Sequence, residues 1–577
     1  MSNSNVERLR LRVRVALGQE PADLVLTGGQ VVDVFTQTIS PVSIAIVDGW
    51  IAAVGPFTWP ARETIDLGGR YVLPGFIDAH MHLESTLLTP GELARLIVPL
   101  GTTAMISDSH EIANVLGVAG IDLLLKASEG IPLDFFLTAS SCVPAVAWEP
   151  AGATLGPAEV RELLTRSRVL ALAEVMDVPA VLAGEESILQ KIQAGEDAHR
   201  PLDGHAPGML GLDLQAYAAT GIRSDHESST IEEAIAKAKC GMLVQVREGS
   251  SALNFEAILP ALARGELGDN WCLVTDDVFP NDLIAKGHIN TMLKRLVAGG
   301  VKPADAVRHA SFVPARHYGL IDRGAIAPAF RADLVVVDDL VHFQPNSVFK
   351  NGTLVARSGK LVVDLPQRPV VTGNTIHPGS LDVSCFEWRP RNASGPVIGI
   401  VPDQIITRAE TRKYHLENGR WVFHRDHDVA LIASIERHRA TGMRGLALVG
   451  GFGFREHGAF GSSVGHDSHN LVIAGTNPVD MLACVKALEE VGGGFVVVSQ
   501  GKVKAILPLP IAGLLSPEPA LEVARQLQQV NEAARSLGCQ LTSPFGTLSF
   551  LALPVIPDLR ITPKGLFDVR TQEFLEE

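Results

Sequence analysis

No Cys-x-x-Cys pair occurs in this 577-residue chain, and its six cysteines (Cys142, Cys240, Cys272, Cys385, Cys484 and Cys539) are widely scattered. That spacing excludes a cysteine zinc site, argues against a disulfide framework and fits a reducing cytoplasm. No run of 18 apolar residues appears, so no membrane span is expected. The N-terminus lacks a hydrophobic signal region. Its basic segment Arg8-Leu-Arg-Leu-Arg12, with Glu7 and Glu20 on either side, reads as a surface helix ahead of the first strand rather than a transit peptide. Basic charge is also scarce: 49 Lys and Arg stand against 64 Asp and Glu, a formal net charge of -15. A phosphate backbone selects for basic surfaces, so nucleic acid is excluded as a partner.

What is present describes a globular chain, 46% hydrophobic and 20% charged, long enough for about three or four domains. Residues 1–72 read as a helix and short strands. Asp48-Gly49 between two apolar runs is a hairpin signal. The same style returns over 321–372, in Ala332-Asp-Leu-Val-Val-Val-Asp338 and Val348-Phe-Lys-Asn-Gly-Thr-Leu-Val-Ala-Arg357. The two stretches can pair into one β unit that the chain leaves near residue 73 and rejoins near 320. Between them, residues 73–320 alternate apolar runs with helical segments, the rhythm and length of a closed (β/α)₈ barrel. An open doubly wound sheet is the alternative, weakened because no Gly-x-Gly-x-x-Gly fingerprint opens it. Residues 373–577 change character and read as a separate α+β domain, with strands at Val397, Gly445 and Gly494 and helices after Asn477 and Pro519.

Chemistry enters at His80-Met-His82. In a strand, residues two apart face the same way, so the pair can grip one cation. Alone it is weak, since chance gives about 0.6 such pairs in a chain with this histidine content. Its company strengthens it. Glu174 ends an apolar run, where a bare carboxylate is costly unless it has a partner or a metal. His205, His226 and Asp276 also end strand-like runs. With His82 closing strand 1 and Asp276 closing strand 8, each unit spans about 28 residues, ordinary for a barrel. Glu174, His205 and His226 then fall at strands 4, 5 and 6. Six potential metal ligands converge on the C-terminal face.

The run Pro74-Gly-Phe-Ile-Asp-Ala-His80-Met-His82, with His205, His226 and Asp276, resembles the amidohydrolase superfamily. That likeness implies an α/β fold: a (β/α)₈ barrel, a β-sandwich built from both sides of it, and one or two divalent metals. Many binuclear members bridge their metals with a carbamylated lysine from strand 4; Glu174 stands there in this chain. Ser107-Asp-Ser-His-Glu-Ile-Ala-Asn-Val115, Ala173-Glu-Val-Met176, Asp203-Gly-His-Ala-Pro207, Ser224-Asp-His-Glu227, Thr275-Asp-Asp277, Gly324-Ala-Ile-Ala-Pro328 and Ser462-Ser-Val-Gly-His-Asp-Ser-His-Asn470 narrow the likeness. They resemble the adenine deaminase family of microbial purine salvage, over nearly the whole chain. Ser109 departs from the proline expected before His110.

This resemblance implies hydrolysis of adenine to hypoxanthine and ammonia by a metal-bound hydroxide, a metal lowering the pKa of bound water from 15.7 to about 7. It implies two divalent ions, Mn²⁺ first, with Fe²⁺ or Zn²⁺ as alternatives. His80, His82 and Asp276 would hold one, His205 and His226 the other, and Glu174 would bridge. Asp276 would also carry a proton to the departing ammonia. Protonating the ring nitrogen needs a second acid. Some relatives carry a Glu three residues after the strand-5 histidine, but His205-Ala-Pro-Gly208 lacks it, leaving Glu227 and Glu111. Asp108 and His110 are candidates for reading the purine edge, against the plainer reading of a helix cap and a solvated histidine.

His288, His424-x-x-His427 and His466-x-x-His469 are lesser candidates, more in keeping with structural roles. The loop from Gly461 to Asn470 is alternatively a cap over the barrel mouth. The expected partner is a small purine base, with no membrane, and the expected assembly is a homo-oligomer, a dimer. The rivals are another amidohydrolase activity of the hydantoinase or dihydroorotase kind, which the shared fold does not exclude, and a non-catalytic scaffold, which would have lost ligands. Zinc deaminases of the Pro-Cys-x-x-Cys type are excluded by the cysteine spacing.

Overall fold

The computed structural model describes residues 2–250, 252–366, 370–402 and 404–575. Eight parallel strands form its centre: β1 (Phe76–Met81), β2 (Thr102–Ser107), β3 (Asp134–Ala139), β4 (Val169–Val175), β5 (Leu202–Gly204), β6 (Ser224–Asp225), β7 (Leu243–Arg247) and β8 (Trp271–Val274). Nearly every residue in them is buried, because helices cover the outside and side chains fill the inside; hence the apolar runs in place of alternation. β1 to β5 lie side by side, as do β6 to β8. Backbone bonds close the ring. The Asp276 N–H donates to His80 O at 3.0 Å, and Arg223 N–H donates to Leu202 O at 2.9 Å. The expected (β/α)₈ barrel is the architecture found.

A nine-stranded sheet flanks the barrel and draws on both sides of it. Strand Thr38–Val47 turns into Trp50–Gly55 through Asp48 and Gly49, at φ 53° and 76°, the left-handed pair that matches a two-residue hairpin to strand twist. Strand Tyr71–Pro74 then pairs antiparallel with Leu334–Val337, Val72 opposite Val336. One face buries Leu24, Leu26, Ile44, Ile46, Leu334 and Phe349 together.

The C-terminal part is a mixed eight-stranded sheet, running from Thr407–Lys413 at one edge to Lys502–Pro508 at the other. Helices Pro478–Val491 and Ala520–Ser536 pack on it, beginning where Asn477 and Pro519 foretold. No described helix is long and apolar enough to cross a membrane. All six cysteines are free.

Beneath the barrel mouth, a buried ion pair fixes the ends of β5 and β6. The Lys237 ammonium donates to Ala206 O at 2.7 Å and to Asp225 Oδ2 at 2.8 Å. Asp225 in turn accepts the Ala206 and Ser228 N–H groups. Both side chains are fully buried. Removing one partner strands the other charge. Lys237→Ala should therefore destabilise the fold by about 3–5 kcal/mol, read as a lowered urea midpoint; a wild-type midpoint would refute this role.

Candidate active site

All six ligand-type residues meet at the C-terminal face of the barrel. Asp276 Oδ1 lies 3.4 Å from His80 Nε2 and 3.1 Å from His82 Nε2. The chain turns at Asp276 with φ 58°, a conformation aspartate tolerates better than most residues. Glu174 stands between two groups of imidazoles: Oε1 is 3.5 Å from His82 Nε2, while Oε2 is 2.7 Å from His205 Nδ1 and 3.2 Å from His226 Nε2.

These residues fit divalent metal. The buried His80 Nε2 and Asp276 Oδ1 atoms have no hydrogen-bond partner. Buried polar atoms left unpaired are costly, and a cation would satisfy both. The ligand atoms of His80, His82 and Asp276 lie within 4.8 Å of one another, as do those of His80, Glu174 and His226. An N/O donor set without thiolate suits ions such as Mn²⁺, Fe²⁺ or Zn²⁺.

Further side chains hold this set. Tyr217 donates to Val175 O at 2.5 Å and accepts the His205 N–H at 3.0 Å, tying the ends of β4 and β5. Arg247, at the end of β7, bonds both Glu227 oxygens (2.5 and 2.9 Å) and Asp276 Oδ2 (2.7 Å). Burial alone would raise the Glu227 carboxyl, but Arg247 and the neighbouring imidazoles hold it well below the usual range. Asp108 stands behind His110. Its Oδ1 bonds His110 Nδ1 at 3.1 Å and its Oδ2 accepts the Glu174 N–H at 3.1 Å. His110 lines the cleft and Asp108 does not, so of the two expected purine readers only His110 faces it.

The C-terminal part roofs the mouth, leaving a narrow cleft beneath it. Ile405, Phe550, Leu553, Val555 and Ile556 supply an apolar wall opposite the imidazoles. The loop 463–470 reaches Glu111: His466 Nδ1 lies 2.7 Å from Glu111 Oε1, and His469 Nε2 abuts Oε2. Burial works against ionising Glu111, yet His466 and His469 outweigh it and hold the carboxyl well below its usual range. Elsewhere, His288 lies away from the cleft, bonded to Thr102 and 3.0 Å from Asp78. His424 and His427 gather with His415 in the C-terminal part. Sequence reasoning passed over Arg247 and Asp467. Arg247 was findable, because it ends an apolar run as the ligands do. Asp467 carried no such signal, since it reaches the mouth from a loop.

Residues 71–355 match the amidohydrolase family, and residues 404–573 match the adenine deaminase C-terminal domain. The chain is 42% identical over 566 residues to an adenine deaminase of Desulfatibacillum aliphaticivorans, covering 98% of each chain. It is 43% identical to adenine deaminase 2 of Carboxydothermus hydrogenoformans, covering 97% of each. Among solved structures, a β-aspartyl dipeptidase from Fervidobacterium islandicum is 16% identical with a TM-score of 0.46, covering 60% of this chain and 100% of that one. A D-hydantoinase from a Bacillus species is 16% identical with a TM-score of 0.45, covering 59% and 96%.

Glu149 packs under the roof, and burial pushes its carboxyl up to about 8. A folded-state value above the unfolded one favours the neutral acid. Its stabilisation is complete below about pH 4.3 and is lost as pH rises through 8. Glu149→Gln should remove that loss, at most about 1.4 kcal/mol per pH unit. The variant should match wild type near pH 5 and exceed it near pH 8 in chemical denaturation. Equal pH slopes would contradict the assignment.

Proposed function

The chain belongs to the adenine deaminase family of amidohydrolases, and from that premise we propose that it hydrolyses adenine to hypoxanthine and ammonia in purine salvage. The observation that carries this reading is Glu174 standing between two imidazole groups in a cleft with an apolar wall. His80, His82 and Asp276 would hold one divalent ion, His205 and His226 a second, and Glu174 would serve both. When bound, such ions lower the pKa of water to about 7 and polarise it for attack at neutral pH. Mn²⁺ is the first choice in this reading, from the family likeness, and the oxygen and nitrogen donors suit Fe²⁺ and Zn²⁺ as well.

The protein's own residues do the rest. Asp276 Oδ1 would hold metal on one lone pair and on the other accept the attacking water's proton and pass it to the leaving nitrogen, while Arg247 holds Oδ2 still. Such a positioned carboxylate contributes about 10²–10⁴-fold. Asp108 fixes the His110 ring by its Nδ1, turning Nε2 toward the cleft. The apolar wall accepts the flat face of the base and excludes water. Free adenine is preferred to adenosine in this reading, from the family likeness. A cytoplasmic homodimer is part of the same proposal, with the free cysteines in keeping with a reducing compartment.

Protein reconstituted with Mn²⁺ should release ammonia from adenine. Inert adenine alongside turnover of a hydantoin or dihydroorotate would mean a different amidohydrolase. Glu174→Ala should lose bound metal by elemental analysis, and full occupancy in that variant would remove Glu174 from the ligand set.

A further inference from the structure

Attack at C6 of a purine pushes an electron pair onto N1, and an acid is needed there. Six carboxyls line the cleft: Glu111, Glu174, Glu227, Asp276, Asp277 and Asp467. Glu174 and Asp276 belong to the ligand set. Glu227 gives both oxygens to Arg247. Glu111 faces an imidazole with each oxygen. Asp277 accepts the Ser85 hydroxyl. Asp467 Oδ2 is buried with no hydrogen-bond partner; Glu111 Oε2 and Asp276 Oδ1 are likewise without one, but the first abuts His469 and the second belongs to the ligand set.

Its position is held from several sides. The His466 ring stacks on Phe550 at 4.4 Å and its Nδ1 engages Glu111. His438 Nε2 meets Ser468 O at 2.8 Å. The fully buried Arg437 donates to His469 O, and Asn470 Nδ2 donates to Pro150 O, on a barrel loop, at 2.8 Å. Asp467 therefore sits on a fastened segment, with Oδ1 3.8 Å from His110 Nε2. His110 Nδ1 is in turn 3.5 Å from Glu174. The His110 imidazole thus lies between Asp467 and Glu174.

The geometry points to Asp467, from the C-terminal domain, as the catalytic residue that protonates the purine ring nitrogen. This rests on the deaminase reading above. Burial pushes the Asp467 carboxyl up to about 6, opposed by His110, so the acid form persists nearer neutrality than for an exposed aspartate. As the water oxygen bonds to C6, the C6–N1 π pair moves to N1, which takes the Asp467 proton. The water's first proton goes to Asp276. The C6–N bond then breaks with its pair on nitrogen, which leaves as ammonia carrying the proton from Asp276. The proton on N1 stays in hypoxanthine, and the remaining hydroxyl proton restores Asp467. In this assignment Glu111 and Glu227 orient other groups and are not the acid.

The test uses full-length protein loaded with Mn²⁺, comparing wild type, Asp467→Asn and Asp467→Ala. Asparagine can still hydrogen-bond the ring nitrogen but has no proton to give up. Asp467→Asn should lower kcat for adenine about 10²–10⁴-fold with KM within about threefold, the scale of one modest hydrogen bond. Asp467→Ala should lower kcat similarly and raise KM as well. Both should keep the wild-type metal content. Asp467→Asn with kcat within threefold of wild type overturns the proposal, as does loss of metal from either variant, which would make Asp467 a ligand or a structural residue. Wild type inert toward adenine would instead overturn the deaminase reading.

Discussion

A carboxylate carried into the mouth of a barrel loses most of its hydration, and six of them line one cleft here. Among the described lining residues Arg247 is the sole permanent cation. Burying like charges in a medium of low dielectric is tolerable only with cations beside them. Much of the surrounding structure can be understood as an answer to that constraint. Arg247 neutralises Glu227 and one oxygen of Asp276. His466 and His469 embrace Glu111. Glu174 and the remaining oxygen of Asp276 are left facing imidazole nitrogens at 2.7–3.5 Å, a spacing that divalent ions would fill. A divalent metal would therefore suit the charge balance as well as the donor atoms.

The barrel and its ligand set were readable because both obey short-range rules. Parallel strands buried on both faces show as apolar runs, and polar residues at their ends stand out against them. Even spacing then assigns Glu174, His205 and His226 to strands 4, 5 and 6, where the structure has them. What escaped the sequence depends on distant segments meeting. Asp108 looks like a substrate reader until its oxygens are found on His110 and the Glu174 backbone. Glu111 looks like a free acid until residues more than 350 positions away close on it. No periodicity in either segment announces such a meeting.

The C-terminal domain is accordingly part of the reaction chamber. Its eight-stranded sheet carries the 463–470 loop from the end of one strand, Ala459–Ser462, to the start of the next, Leu471–Gly475. A loop anchored at both ends by paired strands is far more precise than a free lid. The apolar segment at 550–556 comes from the same domain, so the base would meet metal ligands from one domain and its walls from another.

The pairing of Tyr71–Pro74 with Leu334–Val337 carries a consequence for biosynthesis. The barrel is an excursion between two halves of one sheet, so the first half has an unpaired edge until residue 337 has left the ribosome. The order of emergence also separates two events. The last candidate ligand, Asp276, precedes Asp467 by 191 positions (467 minus 276). If the proposed ions bind there, the nascent barrel would be open to them from solution before the roof over its mouth has been made.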